Sequence, residues 1–131
     1  MRVQALVALI GLSLGACVWG ISTEAVRGAN RESLNRLRME MTREEVLALM
    51  GTETVRAREG WQITNPYRTE TLVAKSGETF EVLYYYTDVK RRDDAITDDE
   101  LTPIVLQGGK VVGWGWTFLD QETQKHEIRV R

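Results

Sequence analysis

The chain of 131 residues holds one cysteine, Cys17, and one histidine, His126, and these two set narrow limits on its chemistry. A disulfide framework needs paired cysteines, and a Cys/His zinc site needs several ligands; one of each supplies neither. A Ser-His or Cys-His nucleophile needs a base beside it, yet His126 stands in the polar stretch Asp120 to Arg131. No glycine-rich phosphate loop and no metal-spaced pair occurs in the sequence. Acidic side chains gather in one place, Asp88 to Thr102, which carries Asp88, Asp93, Asp94, Asp98, Asp99 and Glu100. Two of these would make a glycosidase-like acid/base pair only if burial raised the pKa of one. The interspersed Lys90, Arg91 and Arg92 read instead as a solvated loop, and the spacing lacks the glycine of an EF-hand bend. The expectation is a chain with no catalytic residues, no cofactor and no metal.

Composition narrows the partners. With 43% hydrophobic and 27% charged residues the chain is one ordinary globular domain, and 17 basic against 19 acidic residues give no excess charge for nucleic acid. Cys17 then needs another explanation. Arg2 precedes the apolar run Val3 to Leu14, and small residues follow at Gly15 and Ala16, which is the layout of a secretory signal peptide. The run is too short to span a bilayer, which takes about 20 apolar residues. The boundary Leu14-Gly15-Ala16-Cys17 resembles the lipobox of bacterial lipoproteins. That resemblance implies a diacylglyceryl group on the Cys17 thiol, removal of residues 1–16, and acylation of the new amino terminus. Three acyl chains, at about 0.8 kcal/mol per buried CH₂, would hold the protein on a membrane permanently. Val18, and not Asp, follows the cysteine, which in the Gram-negative sorting system this resembles implies the periplasmic leaflet of the outer membrane ahead of the inner membrane.

The remaining elements must position whatever this anchor carries. Val18 to Asn30 is mixed and small and reads as a tether within the span 17–30; about twelve such residues reach roughly 40 Å extended and roughly 20 Å when flexible. Trp19 reads as an interfacial aromatic beside the lipid. The folded domain is expected over 31–120, followed by a polar tail, 121–131. Asn30 can cap a first helix through Leu37. Thr42-Arg43-Glu44-Glu45 is a capping box, with Met41 and Val46 as a hydrophobic staple and Gly51 at the far end, which predicts a second helix over Arg43 to Met50. Neither helix is long enough to stand alone.

The distal half predicts a sheet for them to pack on. Phe80 to Thr87 alternates with period 2, and Gly108-Gly109 signals a two-residue hairpin between strands Pro103 to Gln107 and Lys110 to Leu119. That hairpin would set Leu106 against Val111, Val105 against Val112 and Ile104 against Gly113. Weaker strand signals lie near Val55, Trp61 to Ile63 and Leu72 to Val73. The fold class is α+β: two short N-terminal helices packed, in two layers, on a three- to four-stranded antiparallel sheet. Period 2 would sort the last strand into a small face, Val111, Gly113, Gly115 and Thr117, and a bulky one with Trp114, Trp116 and Phe118. If the small face receives the helices, these aromatics form an exposed partner surface; otherwise they are core. The connection Asp88 to Thr102, of roughly fourteen residues, is long for a hairpin and reads as a recognition element or a mobile loop.

The run Met41-Thr42-Arg43-Glu44-Glu45-Val46-Leu47-Ala48-Leu49-Met50-Gly51-Thr52 resembles the helical signature of the SmpA/OmlA small lipoproteins, with Glu40 and Glu53 where that signature usually has Gly and Pro. Leu101-Thr102-Pro103-Ile104-Val105 leading into Gly113-Trp114-Gly115 is similar to a sister group of proteobacterial lipoproteins without assigned function. The resemblance implies a non-catalytic scaffold that binds a protein partner of the cell envelope and assists an outer-membrane assembly. The alternative is a lipoprotein that binds or senses an envelope ligand such as peptidoglycan or lipid headgroups, for which Lys90 to Arg92 is the feature in favour.

Overall fold

The computed structural model describes residues 20–93 and 95–128. Cys17, the signal-peptide stretch and Trp19 lie outside the described residues. The elements are α1 (Thr23–Leu34), α2 (Arg43–Met50), β1 (Thr54–Arg56), β2 (Gln62–Thr64), β3 (Arg68–Val73), β4 (Thr79–Tyr86), a 3-10 turn (Asp98–Glu100), β5 (Leu101–Gln107), β6 (Lys110–Trp114) and α3 (Trp116–Lys125). All strand pairs are antiparallel: β1 pairs with β2, and β3-β4-β5-β6 form the main sheet in that order. The architecture is α+β, as expected, but with three layers where two were expected.

The extra layer follows from β4. Residues Val82 to Tyr86 form an unbroken apolar and aromatic run buried on both sides, the pattern of a central strand covered on two faces. Leu83 and Tyr85, with Ile104, Leu106 and Val111, meet Leu37, Met41, Val46 and Met50 on one face. Phe80, Val82, Tyr84 and Tyr86, with Leu72 and Val105, meet Val26, Ile63 and Leu119 on the other. The second helix begins and ends where its signals place it: Thr42 Oγ1 accepts from the Glu45 amide at 3.2 Å, and the Gly51 amide closes on the Leu47 carbonyl at 2.9 Å. Burial raises the Tyr85 pKa to about 12, and its hydroxyl donates to the Gly51 carbonyl at 2.9 Å.

Three expectations are corrected. The first helix does not start at Asn30; Ser22 is its cap, accepting from the Ala25 amide at 3.1 Å, so the stretch read as a tether is helical from Thr23 and Asn30 lies buried inside it. The hairpin at Gly108-Gly109 forms, with both glycines at positive φ, and sets Leu106 against Val111. A bulge then makes Val112 an extra residue, so Val105 faces Gly113 and Ile104 faces Trp114. Finally, β6 stops at Trp114. Gly115, at φ 92°, turns the chain into α3, so Trp116 and Phe118 sit on a helix, and the polar tail is helical through Lys125.

Candidate functional site

A cleft of about 490 Å³ lies at the Tyr86 end of β4, between the start of α1 and the β4–β5 connection. Its floor is Arg27, buried at 8% exposure, whose guanidinium donates to the Tyr86 hydroxyl at 2.7 Å and to Glu24 Oε2 at 2.6 Å. Arg31 donates to Glu24 Oε1 at 2.7 Å and to the Thr87 carbonyl at 2.6 Å, so one helix face carries three charges that fasten α1 to the root of the connection. The hydrogen bonds from Arg27 and Arg31 hold Glu24 below the usual carboxylate range. Trp61 and Glu59 of the β1–β2 hairpin close one side, and Arg91 and Arg92 stand exposed on the other.

The connection is built around a buried carboxylate. Glu100 is 2% exposed; its Oε2 accepts from the Lys90 amide at 2.9 Å, and its Oε1 accepts from both the amide and the hydroxyl of Thr97 at 3.0 Å. Burial pushes its pKa up, but those three donors outweigh burial and hold the carboxyl below its ordinary value. The Glu100 carbonyl also accepts from the Thr87 and Asp88 amides, both at 3.0 Å. Asp98 reaches Arg68 at 3.1 Å, and the Arg68 guanidinium lies 3.9 Å above the Tyr84 ring. The burial that an acid/base pair would need is therefore present at Glu100, contrary to the reading of a wholly solvated loop. Its pKa, and that of Glu24, moves opposite to the direction a general acid requires.

The six residues singled out as a partner surface are dispersed. Lys90, Arg91 and Arg92 lie in the connection, with Lys90 paired to Asp88 at 2.7 Å. Trp114 remains on the sheet edge at 36% exposure. Trp116 packs 5.7 Å from the Tyr84 ring and donates from Nε1 to the Leu101 carbonyl at 2.8 Å. Phe118 lies on Gly113, where a Cβ would stand 2.6 Å from its ring, so the close approach to that glycine is made by α3 and not by the N-terminal helices. The aromatics therefore form neither one exposed patch nor one core face. His126 is half-buried against Phe80, with ring centroids 4.9 Å apart, and meets Glu122 at 3.1 Å and Glu78 at 3.4 Å, a lock on the end of α3. Among the described residues no group of three or more His, Cys, Asp or Glu side chains is placed to hold a metal ion.

Sequence reasoning missed Arg27, Tyr86 and Trp61. The available signal was the spacing Glu24, Arg27, Arg31, which puts all three on one face of a helix. Over residues 19–121 the chain matches the family described as "Protein of unknown function (DUF3192)", and it belongs to that family. No curated protein and no solved structure matches the chain.

Proposed function

We propose that this protein is a lipoprotein of the bacterial envelope, anchored through Cys17 in the outer membrane facing the periplasm, and that it works as a non-catalytic binding or scaffolding module for an outer-membrane assembly. The observation that carries this reading is Leu14-Gly15-Ala16-Cys17 after an apolar run, in a chain whose described residues contain no helix long and apolar enough to cross a membrane. The capped helix Arg43–Met50, with its likeness to the SmpA/OmlA signature, supports the scaffold role. So does the chemistry of the cleft, whose shifted carboxyls are engaged in fixed hydrogen bonds and not poised for proton transfer.

Cross-linking in intact envelopes, followed by identification of what is attached, tests the role. A stoichiometric protein partner is expected. A retained glycan or lipid with no protein attached would overturn the scaffold role in favour of ligand binding, for which the cleft beside Arg91 and Arg92 is the supporting feature.

A further inference from the structure

The described residues begin close to Cys17 in sequence. Gly20 is wedged against the β1–β2 hairpin so closely that a Cβ there would stand 2.9 Å from the Arg58 amide nitrogen and 3.0 Å from the Arg56 carbonyl oxygen. Next to it, the Ile21 carbonyl accepts from the Arg58 amide at 2.8 Å, and Ile21 bridges to Ala57. Only Val18 and Trp19 separate Gly20 from Cys17, and three residue steps span at most about 10 Å. A leash that short leaves the domain little choice about which end it turns toward the lipid.

The end in question is the Tyr86 pole. Ser22 and Thr23 line the same cleft as Val89, Arg91 and Arg92. The opposite pole, the turn at Ser76-Gly77, lies beyond the full length of β4, roughly 25 Å away. Surface chemistry at the near pole suits a bilayer interface. Ile21 at 50% and Val89 at 37% exposure are two of the large apolar side chains left open among the described residues. Around them Arg56, Arg58, Lys90, Arg91 and Arg92 are exposed. Of the carboxylates there, Glu24 is paired with Arg27 and Arg31, Asp88 takes up Lys90, and Glu100 is buried, leaving Glu59, Asp93 and Asp99 open to solvent among the described residues, against Arg56, Arg58, Arg91 and Arg92. Exposed apolar side chains ringed by cations are the composition of a surface that rests on anionic headgroups.

We infer that this pole is a membrane-docking face, with Ile21 and Val89 at the headgroup boundary and Arg58, Arg91 and Arg92 on lipid phosphates, so that the domain stands upright on its own bilayer with Ser76-Gly77 pointing away. The inference rests on lipidation of Cys17 as proposed above, and one preparation separates the two. Val89→Cys and Ser76→Cys variants of the full chain are purified from envelopes, each carrying a fluorophore on the added thiol, and reconstituted into vesicles of phosphatidylcholine and phosphatidylserine containing spin-labelled lipid. The mass of the Cys17 peptide reports the anchor, and quenching reports the face. Strong quenching at position 89 and little at 76 is expected. In Arg58→Gln, Arg91→Gln and Arg92→Gln backgrounds the ratio of docked to undocked domain should fall about fivefold per arginine. Equal quenching at 89 and 76 on an acylated protein overturns the docking face and leaves the anchor standing. An unmodified Cys17 overturns the anchor and the inference with it.

Discussion

Glu100 shows how a single residue organises the longest connection in the domain. Its carboxylate answers three donors, from Lys90 and Thr97, that would otherwise be unsatisfied beside the sheet. Glu100→Gln keeps the shape but presents an amide to some of those donors. It should destabilise the fold by about 1–3 kcal/mol, read from the urea midpoint at neutral pH. Because the folded pKa lies below the ordinary 4.5, the carboxylate's contribution is complete above that value and is lost as pH falls through the folded pKa. The gap between wild type and Glu100→Gln should therefore narrow in titrations carried below pH 4.5. Gly113 is the second such position. Gly113→Ala places a Cβ 2.6 Å from the Phe118 ring and should cost about 1–3 kcal/mol through overpacking. Adding Phe118→Leu should recover part of that loss; a strictly additive double mutant would contradict the contact.

At the scale of elements, α1 is held to the sheet by polar side chains. The Asn30 amide donates to the Tyr86 carbonyl at 2.8 Å and to Asn65 at 3.3 Å, and Asn30 is buried. Asn30→Ala should cost about 1–2 kcal/mol and speed hydrogen exchange in the segment that begins at Thr87, since α1 also holds the Thr87 carbonyl through Arg31. This polar docking is why the helix is legible in the sequence only from Asn30 onward: its inward residues are Val26, Arg27 and Asn30, which make no apolar stripe. The Arg43–Met50 helix was legible because a cap, a staple and a closing glycine are local signals. Strands β4 and β5 and the Gly108-Gly109 turn were legible for the same reason. The last segment departs from the strand its sequence predicts because Val112 to Phe118 alternates with period 2, whereas a bulge at Val112 and the positive φ of Gly115 are tertiary outcomes that period 2 does not encode. Of the candidate site, the basic run Lys90 to Arg92 was visible; its juxtaposition with Arg27 and Trp61 depends on contacts distant in sequence.

Taken whole, the molecule is a central sheet covered on both faces, with two unlike poles. One carries the entry of the chain, the cleft and the arginines; the other carries the tight turns. On the flank, residues Glu40 to Thr42 close the start of β6, with the Glu40 amide donating to the Val111 carbonyl at 2.8 Å, and Trp114 is left exposed at its end. A protein partner reaching an upright domain from the side would meet this edge. Trp114→Ala should therefore leave the urea midpoint within about 1 kcal/mol of wild type while weakening the envelope cross-link. Trp116→Ala, which removes a packed ring and the bond to the Leu101 carbonyl, should lower stability first.

The docking face and the envelope partner proposed above both depend on lipidation of Cys17. The most direct measurement is the intact mass of the protein isolated from native membranes. A polypeptide that begins at Cys17 and carries a diacylglyceryl group and an amide-linked acyl chain is the expected result. A freely soluble chain with an unmodified cysteine would contradict the account.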